Sequence, residues 1–253
     1  MSTERARCIV LRPSPDGEAL TRALADAGLD ALHLPAIRIE PRPHAPLPSA
    51  APTLLLFVSP NAVRHGRAAL DAAPGVPVAA IGATTARLLA ESGRPAAIVP
   101  PDGGYTSEAL LGAPALANLA GARVWIVRGE GGRELIADTL RQRGAGVHYV
   151  EVYRRQAATH DAPTLARARE WLAARPPAIV IATSLETLQG LYHLLPDTRD
   201  YRLVSASDRV VQLATSRGVS HAPARAAGPD AASLVACARR VAGATPATPP
   251  HRS

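Results

Sequence analysis

The chain repeats itself, and it does so out of order. Residues 122–155, "ARVWIVRGEGGRELIADTLRQRGAGVHYVEVYRR", align without a gap on residues 6–39, "ARCIVLRPSPDGEALTRALADAGLDALHLPAIRI". Arg128 falls on Arg12, Glu134 on Glu18 and Gly144 on Gly28. Each copy reads as a strand ending in arginine, a turn, a helix ending at glycine, and a second strand. A second pairing joins the middle of the chain to its end. "LLLFVSPNAVRHGRAAL" resembles "AIVIATSLETLQGLYHLL", with Ser59 on Ser184, and "VAAIGATTARLLAESG" lies on "LVSASDRVVQLATSRG", with Gly93 on Gly218. "YTSEALL" corresponds loosely to "GPDAASL".

A strand–helix–strand unit cannot bury its apolar faces alone, so neighbours must complete it. Apolar runs alternate with helix-period segments throughout, the pattern of α/β folds with parallel sheets. The N-terminal unit pairs with the last unit of the middle block and not with its first. The expected architecture is therefore α/β, with two doubly wound parallel-sheet domains (flavodoxin-like) derived from a permuted internal repeat. The first domain is discontinuous, residues 1–38 plus 157–240. The second, residues 44–150, is inserted into it, and each is expected to hold five short strands. Residues 39–43 and 151–156, in "AIRIEPRP" and "YVEVYRRQ", form a two-stranded connector. "PRPHAPLPSAAP" reads as a proline-rich loop, and residues 241–253, ending "ATPATPPHRS", as a disordered tail.

The stretch "VWIVRGEGGRE" holds the ingredients of a phosphate loop: strand, glycine turn, helix start. Its spacing fits neither common template. Counting from Gly129, the sixth position of a dinucleotide fingerprint is Glu134. A P-loop needs a lysine, and the chain has none. Glu130 would also place a carboxylate inside the cradle. Glu151 lies about twenty residues on, where a ribose-binding acid is expected, but a lone acid at that distance is weak support.

In doubly wound sheets ligands bind beyond the carboxyl ends of the strands, and a cleft between two domains is the default site. Those ends carry Ser59 with Asn61, Gly82 with Thr84, Thr106 with Ser107, and Arg128 followed by Gly129, Gly131, Gly132 and Arg133. The first domain contributes Arg12, Thr183 with Ser184, and Ser207. Taken singly, each Ser or Thr reads as a helix N-cap, as in "SPNAV". Taken together, capped helix starts present N–H groups and positive dipole ends, each favouring a carboxylate by about 0.3–1 kcal/mol. The glycines let the backbone turn tightly and expose further N–H groups. A ligand with many carboxylates suits such a cleft. Tyr153, in "EVYRR" ahead of Arg154 and Arg155, sits on a connector, where its phenol can give a proton to a leaving group.

Composition narrows the chemistry. All 28 basic residues are arginine, so no lysine can form a Schiff base. The net charge of +7 favours an anionic partner. The arginines are scattered and aromatic content is 3%, which disfavours nucleic acid. Cys8 and Cys237 match no metal or redox spacing. No apolar run approaches about 18 residues, so no membrane span is expected and the chain reads as cytoplasmic.

With these residues in place, the chain resembles the uroporphyrinogen-III synthase family over nearly its whole length, from "CIVLRP" to "SLVACARR". The most specific segment is "YTSEALL" together with "VWIVRGEGGRELIADTLRQRGAGVHYVEVYRR"; "FVSPNAV" and "AIGATTARLL" add two further motifs. The resemblance implies a lyase of porphyrin and heme biosynthesis that needs no cofactor and no metal. Its substrate is hydroxymethylbilane, a linear tetrapyrrole with eight carboxylates, which it closes to uroporphyrinogen III with inversion of ring D and loss of water. It also implies that Tyr153 assists departure of the hydroxyl, and that Ser59, Thr84, Ser107 and Ser184 are the family's polar strand-end positions. A monomer is expected, meeting the preceding pathway enzyme transiently. The first domain departs from the family pattern at Leu185, at Ser205 with Ser207, and in "AAGPD".

Two other classes compete. One is a non-catalytic two-domain sensor or binding module for an anionic small molecule. The other is a sugar or nucleotide transferase, which a thermal-shift screen with nucleotides would reveal.

Overall fold

The computed structural model describes residues 5–42, 47, 49–104, 106–132 and 134–243. Residues up to Arg38 and from Gln156 onward form one compact unit, and Ile39–Arg155 form another. Followed along the chain, the first unit opens with β1 (Arg7–Val10), α1 (Asp16–Asp26) and β2 (Asp30–His33). Next come β3 (Ile37–Pro41), β4 (Leu54–Phe57), α2 (Pro60–His65), α3 (Arg67–Asp71), β5 (Val78–Ala80), α4 (Ala83–Glu91) and α5 (Ser107–Leu111). The second unit closes with β6 (Arg123–Gly129), α6 (Leu135–Gln142) and β7 (Gly146–Ala157). The first unit then resumes with α7 (Ala162–Ala173), β8 (Ile179–Ile181), α8 (Leu185–Leu194), β9 (Arg202–Ser205), α9 (Asp208–Ser216), β10 (Ala224–Arg225) and α10 (Ala231–Gly243).

The sheet of the first unit is ordered β10-β9-β8-β1-β2, and every pair in it is parallel. The sheet of the second is ordered β3-β7-β6-β4-β5, with β7-β6-β4-β5 parallel. If the second unit is renumbered so that β6 comes first, its parallel strands read 2-1-3-4, matching the flavodoxin-like order 2-1-3-4-5 of the first sheet up to its last strand. The aligned copies thus occupy equivalent places, β1–α1–β2 against β6–α6–β7. Their helices also stop alike. Gly28 and Gly144 both have positive φ, 82° and 89°. Beyond each, an amide bonds back across the last turn, Leu29 to the Leu24 carbonyl and Ala145 to the Leu140 carbonyl, both at 3.0 Å. This is the stop that a glycine after the C-cap allows.

The second sheet differs from the expected five parallel strands. Its fifth parallel position is a single bridge between Ala79 and Ile98. The remaining strand is β3, added on the opposite edge beside β7. Arg38 pairs with Gln156 and Glu40 with Arg154, numbers rising on one strand as they fall on the other, so β3 and β7 are antiparallel. The expected connector segment 151–156 is the far half of one unbroken strand, β7. Helix α10 continues through Gly243, into the segment expected as tail; residues 244–253 lie outside the described residues, as do positions 43–46 and 48 of the proline-rich loop.

Each sheet is covered on both faces, and the alternation along single strands shows it. In β1 and just beyond, Ile9 and Leu11 face one core cluster, Cys8 and Val10 another. In β4, Leu55 and Phe57 face one cluster, Leu54 and Leu56 the other. All eight side chains are at most 5% exposed, and burying a side chain of this size contributes about 1.5–3 kcal/mol. That burial on both sides is why these central strands are continuous apolar runs.

Candidate functional site

In the second unit, the carboxyl ends of β4 and β6 and the far part of β7 bring Ser59, Gly129 and Tyr153 together. Ser59 follows β4 with an extended backbone and caps α2, its Oγ accepting from the Ala62 amide at 3.0 Å. Pro60 at the first helical position has no N–H to satisfy and suits this start. The same Oγ lies 3.1 Å from the Tyr153 hydroxyl. Arg155 donates to that hydroxyl from Nη2, also at 3.1 Å.

Tyr153 is only 2% exposed, and a bulge explains how a connector tyrosine came inside. Along β6–β7, Arg128 pairs with Glu151 but Gly129 pairs with Tyr153, so the register shifts there. Consecutive residues of a strand normally face opposite sides; the extra residue lets Val152 and Tyr153 join one cluster. Gly129 makes the position tenable. A Cβ there would stand 2.5 Å from Cε2 and Cζ of the Tyr153 ring and 3.0 Å from its hydroxyl. His65 stands near it, its ring centroid 6.0 Å from that of Tyr153. Burial first, and then Arg64, hold its imidazole below its ordinary value, which favours the neutral form.

The glycine turn after β6 is stitched from inside. Arg128 is 6% exposed. Its guanidinium donates to the Gly129 carbonyl at 3.2 Å, to Glu134 at 3.3 Å, and to the Gly131 carbonyl. It also lies 4.5 Å over the Tyr149 ring. Tyr149 donates its hydroxyl to Glu134. That bond, with Arg128 adding to it, holds the Glu134 carboxyl below the usual carboxylate range. The Gly131 amide donates to the Glu151 carboxylate at 3.2 Å. Arg42 in turn donates to Glu151 at 2.8 Å and stands 3.4 Å from Glu130. The turn therefore already holds one carboxylate, the protein's own.

A hollow of about 170 Å³ opens above these strand ends. Val58, Ile81, Ile126 and Ile136 line its apolar part, while Ser107, Gly131, Gly132 and Arg155 form its polar rim. Arg128 and Gly129 contribute to the wall. The other candidates sit nearby in sequence but do different work. Asn61 accepts from Arg64 at 2.8 Å, Gly82 is buried at the start of α4, and Thr84 is exposed in that helix's first turn. Thr106 caps α5 by accepting from the Ala109 amide. Arg133 lies outside the described residues.

In the first unit the strand ends are more self-contained. Arg12 donates to the Pro229 carbonyl at 3.0 Å and pairs with Asp16 at 3.8 Å. Ser184 is held in a capping box with Thr187, and Thr183 is half-buried beside it. His33 bonds to the Arg12 carbonyl at 2.9 Å. Arg42 and Tyr149 carry no mark in the sequence, and Arg155 stands out there only as a neighbour of Tyr153. The one available signal was the spacing of Glu151 from the glycine turn, and its partner is a backbone amide, not a ribose.

Fold and site together define a doubly wound α/β protein of two units, with a polar-rimmed hollow where such sheets hold small molecules. Residues 18–236 match the family model described as "Uroporphyrinogen-III synthase HemD". The chain is 39% identical to the uroporphyrinogen-III synthase of Escherichia coli over 228 residues, covering 83% of this chain and 91% of the relative. It is 37% identical to that of Salmonella typhimurium over 227 residues, with the same two coverages. A uroporphyrinogen-III synthetase structure from Helicobacter pylori shares the fold with a TM-score of 0.65 at 17% identity, covering 94% of this chain and all of that one. A mutant uroporphyrinogen III synthase from Thermus thermophilus does so at 0.60 and 19%, covering 93% and 98%. The chain belongs to the uroporphyrinogen-III synthase family. No helix among the described residues is long and apolar enough to cross a membrane.

Proposed function

We propose that this chain cyclises hydroxymethylbilane to uroporphyrinogen III, inverting ring D and releasing water. Its membership of the family carries this reading. The reaction needs a proton for the departing hydroxyl and a surface that steers the resulting azafulvene cation toward the spiro route. Without steering, closure gives the non-inverted isomer. A hundredfold preference requires only about 2.7 kcal/mol of differential barrier, within reach of shape and a few hydrogen bonds.

In this reading Tyr153 gives the proton. The hollow takes part of the substrate, its apolar floor against a pyrrole face and its rim of Ser107 and Gly132 toward carboxylate arms. Arg128 acts by holding the glycine turn in shape. Ser59, Asn61, Gly82, Thr84 and Arg133 are proposed as further contacts in the second unit; Arg12, Thr183 and Ser184 are those of the first. The chain is proposed to act as a cytoplasmic monomer without cofactor or metal, meeting the enzyme that supplies its substrate only transiently. The relatives it matches are synthases, which leaves the sensor reading without support.

Purified protein supplied with hydroxymethylbilane generated in situ should yield type III uroporphyrinogen. Only type I product would remove the proposal.

A further inference from the structure

We propose that Arg155 is a positioning residue for the Tyr153 phenol, fixing the direction of its proton and stabilising the oxygen left behind. The inference rests on the reading of Tyr153 as proton donor and adds how that donor is set. A phenol oxygen has one proton and two lone pairs. Arg155 donates from Nη2 at 3.1 Å and occupies one lone pair. Ser59 Oγ already accepts from the Ala62 amide at 3.0 Å. The same oxygen lies 3.1 Å from the Tyr153 oxygen, and either hydroxyl can donate across that gap. When Ser59 is the donor, both lone pairs of the phenol oxygen are taken and the phenolic proton is the one left to be given away.

The same geometry serves the step itself. The phenolic proton passes to the departing hydroxyl, the carbon–oxygen bond breaks, and water leaves. The substrate becomes a cation and Tyr153 a phenolate. That phenolate forms with two donors already aimed at it, one carrying a full positive charge, and charge-assisted bonds are the strong ones. Closure of the ring releases a proton from the attacked pyrrole carbon, which restores the phenol. Arg155 is suited to this place. It is half-buried, lines the hollow, and lies 5.3 Å over the Tyr153 ring, so its guanidinium is steered by the aromatic face as well as by the oxygen. Arg128, the other arginine of that wall, spends its donors on its own loop.

The test is a double-mutant cycle in the full chain, with Arg155→Met, Tyr153→Phe and the pair, measuring kcat, KM and the ratio of type III to type I product. Arg155→Met should lower kcat by about tenfold, a part of the roughly 10²–10⁴-fold that a general acid contributes, while KM stays within about threefold of the parent. In the Tyr153→Phe background the same change should cost little, because residues acting as one unit are not additive. Arg155→Lys, which keeps the charge and one donor, should recover part of kcat. It also gives a folded comparison should the methionine variant not fold. Independent, multiplicative effects, or a raised KM with kcat unchanged, would mean that Arg155 binds substrate directly and would overturn the inference. Full turnover by Tyr153→Phe alone is a different failure: it removes the proton-donor reading on which this one stands.

Discussion

Gly129 and Tyr153 face each other across the β6–β7 pair so closely that one methyl group cannot be placed between them. The glycine once suggestive of a phosphate cradle is instead the space in which a phenol ring lies. Gly129→Ala should therefore push the ring away from Ser59 and Arg155. Overpacking of this kind typically costs about 1–3 kcal/mol, and kcat should fall with it. Denaturant unfolding together with steady-state turnover checks this; a variant that keeps parent turnover would show that the phenol need not sit where it does.

Ser59 caps a helix and touches Tyr153; Asp161 caps a helix of the other unit. Asp161 accepts from the Thr164 amide at 2.8 Å in the first turn of α7. Replacing either by alanine should cost about 0.5–2 kcal/mol through the lost cap. Only Ser59→Ala should also slow turnover. Equal activity in the two variants would reduce Ser59 to a cap.

Arg128 is buried, and three of its donors hold the glycine turn. A lysine cannot reproduce that fork. Arg128→Lys should lose about 1–3 kcal/mol, the cost of buried polar groups left unpaired, and limited proteolysis should then cut at the turn. A lysine variant as stable and as resistant as the parent would show that the turn holds its own shape.

Burial pushes the Cys8 thiol up from 9.0 to about 12, with Arg202 opposing and Asp30 adding to the shift. Above pH 9 the unfolded chain releases this proton while the folded chain keeps it, so its contribution to stability is lost as pH rises from 9 toward 12. The slope is about 1.4 kcal/mol per pH unit. Tyr201, raised by burial and by Tyr192, acts in the same direction at higher pH, so the comparison belongs between pH 8 and 10. Urea midpoints of the parent should fall over that range, and those of Cys8→Ala should fall less. Parallel curves would assign the alkaline loss to other groups.

Much of the fold was legible because repeats impose equivalence. Once Arg128 aligned with Arg12 and Ser59 with Ser184, the strand order of one sheet followed from the other. Antiparallel β3 and the lone Ile98 bridge were not legible, since edge pairing depends on where the chain happens to leave a sheet. Side-chain direction was legible least of all. Nothing in "RGEGGRE" says that Arg128 turns back on its own carbonyls, or that Glu151 fills the Gly131 amide. Tyr153 was found by its place on the connector, but Arg155 is set by a bulge that no pattern of residue types announces.

The permuted order also has a consequence in time. A ribosome delivers β1 and β2 together, yet β1 pairs on its other side with β8, which begins only at Ile179. The inner unit, by contrast, has every strand it needs once residue 155 has emerged. Parallel pairing across long sequence separations is slow and exposed to aggregation. Strand β1 must therefore wait, one side unpaired, while the whole of the inner unit is made between its two partners.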